Sequence, residues 1–229
     1  MITIYRLPQK TGVLIFDMDL TLYTNQEYAR FQIDRILQEA AAFKGKTVEA
    51  LREDIAACRK EWAASHNGKG TSLGNVLAAM GISLDENIRW REAFLEPGDF
   101  LGEDPKLRET LSVLGADYAL ALVTNNPVLV ARKTLRALGV EELFPVIIGM
   151  DTCGVSKPHR APYLRAAELL GADPSKCVSI GDRYEIDIEL PLELGMGGVL
   201  VEGVEDVYRL PPLLKNPPPA RESEFSRIL

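Results

Sequence analysis

At 229 residues, 46% of them apolar, the chain is long enough to bury a sizeable core without disulfides. A formal net charge of −7 argues against broad binding to nucleic acid or anionic membranes, because phosphate surfaces attract clustered Lys and Arg. The stretch Met1 to Gly12 lacks the unbroken apolar core of a signal peptide, and no later run approaches the roughly 18 apolar residues of a membrane helix, so a cytoplasmic protein is expected.

The first apolar run, Val13 to Phe16, reads as a buried strand and leads straight into Asp17-Met18-Asp19-Leu20-Thr21. Two carboxylates two residues apart at a strand end point to one site, where their repulsion calls for a cation or a shared proton. A solvated acidic turn is the plainer alternative. From Thr24 to Pro97 the pattern becomes helical. Ile33, Ile36, Leu37, Ala40 and Ala41 form one apolar face. Val48, Leu51, Ile55, Cys58 and Trp62 form a second, behind Thr47 as N-cap and Glu49 in the first turn. A third helix, Leu73 to Met80, stops at Gly81, and Ser83 with Glu86 has capping-box spacing before a fourth.

After this insertion, apolar runs return at Ala119 to Val123, Val146 to Ile148, Val178 to Ile180 and Val199 to Val201. They alternate with helical patterns closed by glycine at Gly115, Gly139, Gly171 and Gly195, which predicts an α/β fold with buried parallel strands. Pro191 suits the first turn of a short helix after Asp187. The expected division is a core of residues 1–23 and 98–229 with a helical cap at 24–97. Such an insertion lies over the carboxyl edge of the sheet, where open α/β folds bind ligands. The proline-rich tail, Pro211 to Leu229, is expected to be extended. Cys58, Cys153 and Cys177 have no metal-ligand spacing and read as free packing thiols.

Each later strand also ends in polar residues. Thr124-Asn125-Asn126 offers a hydroxyl and amides to an anion, and Ser156-Lys157-Pro158 brings one cation. Gly181-Asp182 through Asp187 adds two more carboxylates, hard oxygen ligands that select Mg²⁺ over zinc. Taken singly these are ordinary: Asp187 suits a helix N-cap, and a lone Lys is usually solvated. His159 is expected to start a helix, and Arg183, Tyr184 and Glu185 to pair within their loop.

In this order, Asp17-x-Asp19-x-Thr21, Thr124, Lys157 and Gly181-Asp182-x₄-Asp187 resemble the haloacid dehalogenase-like phosphohydrolases, and the helical insertion resembles their type C1 cap. The resemblance implies a Rossmann-like parallel sheet with helices on both faces and the cap above it, and Mg²⁺-dependent hydrolysis of a small phosphorylated metabolite through an aspartyl-phosphate. Asp17 would be the nucleophile and Asp19 the acid and base. Asp17, the Asp19 carbonyl, Asp182 and Asp187 would hold the metal, with Asp187 acting through water or supporting Lys157. Thr124, Asn125 and Lys157 would hold the phosphoryl oxygens.

Met18 and Leu20 depart from the commonest pattern, with Met18 contributing its backbone amide. Asp19 separates the chain from the family's dehalogenases, which lack this acid. A sugar phosphomutase shares all four motifs and is the nearest alternative, and a non-catalytic phosphate-binding regulator is a further one. The run through Tyr23 resembles pyrimidine 5′-nucleotidases, with phosphoglycolate and sugar phosphatases as competitors. Tyr28, Arg59, Trp62, His66, Trp90, Arg91 and Phe94 are the cap side chains offered to a leaving group; Trp62 is expected in the core, and His66 and the arginines at the surface. A monomer is expected, since a cap has to open and close.

Overall fold

The computed structural model describes residues 1–215. Six strands form one sheet: β1 (Thr3–Arg6), β2 (Val13–Phe16), β3 (Ala119–Val123), β4 (Val146–Ile148), β5 (Cys177–Gly181) and β6 (Gly197–Leu200), in the order β1-β6-β5-β2-β3-β4. From β6 to β4 the strands run parallel, and β1 pairs antiparallel with β6. Five of these strands thus form the expected parallel sheet, and β1 joins its edge antiparallel, a strand the apolar runs did not predict. Only Ile4 of β1 is buried, so this edge strand offers no apolar run to read.

β2 is buried on both sides, as a central parallel strand has to be. Leu14 and Phe16 face α5 (Pro105–Gly115) and α6 (Val128–Ala137), while Val13 and Ile15 face α8 (Arg160–Leu169). Burying each such side chain contributes about 1.5–3 kcal/mol. Short helices α7 (Met150–Cys153), α9 (Glu189–Glu193), α10 (Val204–Val207) and α11 (Leu210–Lys215) complete this part. Gly139, Gly171 and Gly195 take the positive φ that closes a helix. Gly115 does not: it stays inside α5, which ends at Ala116 in ordinary helical geometry. Pro211 and Pro212 lie in α11 rather than in an extended tail, and the rest of the predicted tail lies outside the described residues.

Between β2 and α5 come α1 (Gln26–Lys44), α2 (Val48–Ser65), α3 (Leu73–Ala79) and α4 (Leu84–Phe94), with no strand. Thr47 and Ser83 cap their helices, accepting from the amides of Ala50 and Glu86. The Glu86 carboxylate turns to Arg89, leaving only one arm of the expected capping box. These helices share their own core, with Ile36, Leu37, Ala40, Leu51, Ile55, Val76, Leu77 and Trp90 buried together. Ile33 is 49% exposed, contrary to its place on the predicted stripe. The first turn of α1 belongs to the main core: Tyr28 is fully buried there and stacks on Phe100 at 5.2 Å. It cannot meet a leaving group. Trp90 is also buried, Phe94 lies under Arg35 with 3.8 Å from guanidinium to ring centroid, and Trp62 is half-buried, stacked on His66.

All three cysteines are free thiols. His159 caps α8 through its Nδ1, as expected of a helix-start residue.

Candidate active site

Parallel register brings the loops together. Phe16 pairs with both Leu122 and Ile180, so the chain leaves β2, β3 and β5 at one edge of the sheet. The Asp17 amide donates to the Ile180 carbonyl, which seats Asp17 beside Gly181. After β5 the chain makes a π-helical turn, Tyr184–Ile188, that returns Asp187 to the strand end. A Cβ on Gly181 would stand 2.4 Å from the Asp187 Cβ, so this close return requires glycine. Ser179 Oγ donates to the Asp187 carbonyl and Tyr163 Oη to that of Ile186, fixing the turn from beneath.

Lys157 Nζ donates to Asp17 Oδ1 at 2.5 Å and to Asp187 Oδ1 at 2.7 Å, with all three side chains no more than 2% exposed. Asn125 clasps the Lys157 main chain, accepting from its N–H at Oδ1 (2.6 Å) and donating from Nδ2 to its carbonyl (3.1 Å). Burial opposes the ammonium charge, but Asp17 and Asp187 outweigh it and hold the Lys157 pKa above its ordinary value. Asp182 is pushed up to about 7, first by burial and then by Asp17 and Asp187.

Carboxylate oxygens of Asp17, Asp182 and Asp187 lie within 4.8 Å of one another. Asp17 Oδ2 and Asp182 Oδ1 are buried without a hydrogen-bond partner among the described residues. Although Arg183 Nε lies 3.7 Å from Asp182 Oδ1, buried carboxylate oxygens without hydrogen bonds at this spacing form an all-oxygen donor set that fits a hard divalent cation. Asp187 is less free, because its Oδ1 meets Lys157 and its Oδ2 accepts from the Arg183 amide at 3.1 Å.

Asp19 sits in a different setting. Its Oδ1 accepts from the Tyr23 hydroxyl and from Gln32 Nε2 (2.9 Å), and its Oδ2 from Asn126 Nδ2 (2.9 Å). Thr124 is buried and its Oγ1 accepts from the Asn126 amide at 3.2 Å. A cavity of about 280 Å³ opens between these loops and the helical segment, bordered by Asp19, Asp182 and Arg183 on one side and Gln32, Arg59 and Arg91 on the other.

Every predicted site residue thus lies at this sheet edge: Asp17, Lys157, Asp182 and Asp187 in direct contact or close apposition, Asn125 and Thr124 behind them, and Asp19 turned toward the helices. Glu185 leaves its loop to accept from the Gly70 amide, and the Tyr184 ring packs tilted against Tyr5, 4.9 Å between centroids. Arg59 is exposed as expected, whereas Arg91 is half-buried and donates to Asn87 and Asn126. Burial lowers the Arg91 pKa, with Asp19 opposing that shift. Gln32 carried no expectation from the sequence, and Asn126, expected to offer its amides to an anion, turns its side chain to Asp19. One signal was available: Gln32 falls at four-residue spacing among the buried positions Tyr28, Ile36 and Ala40, a polar residue on an apolar stripe.

Residues 11–195 match a family model described as haloacid dehalogenase-like hydrolase. A phosphoglycolate phosphatase of Colwellia psychrerythraea is 40% identical over 191 residues, covering 76% of this chain and 77% of that one. One from Aquifex aeolicus is 34% identical, covering 77% and 78%. Among solved structures, the putative HAD-hydrolase YfnB of Bacillus subtilis, bound to magnesium, superposes with a TM-score of 0.56 at 18% identity, covering 89% of this chain and 99% of that one.

Proposed function

Since the chain belongs to the haloacid dehalogenase-like hydrolases and is a phosphoric monoester hydrolase acting on a small phosphorylated substrate, we propose that it works through an aspartyl-phosphate on Asp17, with Mg²⁺. The observation that carries this reading is the Asp17 carboxylate itself: Oδ1 is held by Lys157, while Oδ2 is buried and unpartnered beside Asp182. An oxygen kept out of water but left free of donors retains its nucleophilicity.

In the first step an Asp17 oxygen attacks phosphorus, the bond to the leaving oxygen breaks, and Asp19 gives that oxygen a proton. In the second, water attacks phosphorus, Asp19 takes back a proton, and the Asp17–phosphorus bond breaks to release phosphate. Lys157 and Thr124 hold phosphoryl oxygens and stabilise their developing charge. The Asn125 side chain is committed to the Lys157 main chain, so its contact with phosphate comes from its backbone N–H. Asp17, Asp182 and the Asp19 main-chain carbonyl would hold Mg²⁺, which when bound would offset the charge of the two approaching anions, and Asp187 supports Lys157 rather than supplying a primary ligand.

We assign residues 24–97 as the cap and the remainder as the catalytic core, acting as a single cytoplasmic chain. The substrate proposed is phosphoglycolate or a phosphorylated acid of similar size. The names of the 40% and 34% identical relatives support it, and so does a cavity of about 280 Å³ bordered by Arg59 and Arg183, with Arg91 committed to Asn87 and Asn126. A panel of phosphomonoesters assayed for phosphate release tests this. Release should need Mg²⁺, stop with EDTA, and be fastest on phosphoglycolate; equal release without any divalent metal would remove Mg²⁺ from the mechanism, and isomerisation of a sugar phosphate without release would identify a mutase.

A further inference from the structure

The helical segment reaches Asp19 through a chain of side-chain amides whose direction is set at both ends. Arg91, on α4, has donors only. Its Nε donates to Asn87 Oδ1 at 2.9 Å and its Nη1 to Asn126 Oδ1 at 2.6 Å. A guanidinium cannot accept, so Asn126 has to present its oxygen to Arg91 and its Nδ2 to the opposite side. That Nδ2 donates to Asp19 Oδ2 at 2.9 Å and to Gln32 Oε1 at 3.1 Å. Gln32, its oxygen so engaged, turns its Nε2 to Asp19 Oδ1 at 2.9 Å and to the Tyr23 hydroxyl at 3.0 Å.

Between a group that only donates and a carboxylate that only accepts, each amide has one orientation that satisfies both its ends. Asn126 and Gln32 are buried, so a partner lost from either side chain is costly to replace. Without Arg91 the Asn126 oxygen loses its charged donor, and the acceptors on the Asp19 side alone are left to orient the amide.

We infer that Arg91 is a positioning residue for Asp19, acting through the side-chain amides of Asn126 and Gln32. It supplies the aim of the acid and not its chemistry. The inference rests on the reading of Asp19 as the acid, and it ties that acid to the seating of the helical segment on the core.

Two substrates separate acid placement from general damage. Phosphoglycolate has an alkoxide leaving group that needs the proton, whereas 2,4-dinitrophenyl phosphate has one that does not. Arg91→Met is expected to lose roughly 10²-fold in kcat/KM on phosphoglycolate and under about 3-fold on the dinitrophenyl ester. Asn126→Asp keeps the size of the side chain and an acceptor for Arg91 but gives Asp19 no donor; it should show the same asymmetry while its circular dichroism stays native. Arg91→Lys, which restores one donor, should recover about 10-fold of the Arg91→Met loss on phosphoglycolate. Equal losses on both substrates for Arg91→Met and Asn126→Asp, or no loss on either, overturn the inference. Asp19→Asn is the reference. If it shows the asymmetry and the Arg91 variant does not, the positioning role alone fails; if Asp19→Asn lacks it, the acid assignment fails and the inference with it.

Discussion

Asp17 and Asp19 are two residues apart, yet their surroundings differ in kind. Around Asp17 the partners are charged and come from core loops, with Lys157 bridging Asp17 and Asp187 where side chains are no more than 2% exposed. Around Asp19 the partners are neutral donors, Tyr23, Gln32 and Asn126, and Gln32 comes from the helical segment. The first environment is a dry electrostatic balance that the sheet edge builds alone. The second is a hydrogen-bond geometry that exists only while α1 and α4 rest on the core. With the roles proposed for Asp17 and Asp19, a site divided in this way would keep its nucleophile ready and still make its acid depend on the position of the helices.

The largest test of the Asp17 half is Asp17→Asn. Phosphate release should fall by at least about 10⁴-fold on every substrate, dinitrophenyl ester included, because no covalent intermediate can form. Circular dichroism should remain native, since Lys157 keeps Asp187. Substantial turnover by this variant would falsify the assignment of the nucleophile.

Stability offers the next contrast. Lys157→Met strands two buried carboxylates, and urea unfolding in EDTA should register a loss of about 3–5 kcal/mol. Gln32→Leu removes donors to Asp19, which lies at the cavity and can take up water there; about 1–3 kcal/mol is expected. If the two losses came out equal, the distinction between a charge balance and a hydrogen-bond geometry would collapse.

pH sharpens the same contrast more gently. Asp182 titrates near 7 in the folded chain, well above the ordinary 3.8, so between those values the folded state binds more protons than the unfolded state. Stability of the metal-free protein should then fall as pH rises from about 4 to about 7. Thermal melts in EDTA across that window check it, and Asp182→Asn should flatten the slope. A profile that rose with pH would contradict the electrostatic crowding at Asp17.

The smallest effect belongs to the rim. Lys69 pairs with Glu189 and Glu193 at 3.2 and 3.3 Å, but its side chain is 44% exposed. Lys69→Ala should change unfolding free energy by no more than about 1 kcal/mol, with salt screening most of the difference. A larger cost would mean that rim charges, and not the Arg91 chain, seat the helices.

Much of this was legible in one dimension for a specific reason. Central strands such as Val13–Phe16 and Ala119–Val123 are buried on both faces and appear as unbroken apolar runs, and the site residues follow directly at their ends. Once parallel register is granted, Asp17, Thr124 and Asp182 have to meet. The edge strand Thr3–Arg6, with one buried residue, leaves no such trace. Gly115 looked like a helix end because glycine is commonest there, but α5 continues through it. The seating of Lys157 between two carboxylates was readable only as a residue type, since ion-pair distances depend on the π turn that returns Asp187 to the strand end.

The order of motifs, the identity of the acids and the helical character of the insertion are properties of local pattern, and the amino-acid sequence alone determined them. Which way Asp19 points, which of its donors come from the helices, and how Arg91 orients Asn126 were decided by tertiary structure. Amide orientation carries no periodicity and no composition: it follows from whichever donors and acceptors distant segments bring within hydrogen-bond reach.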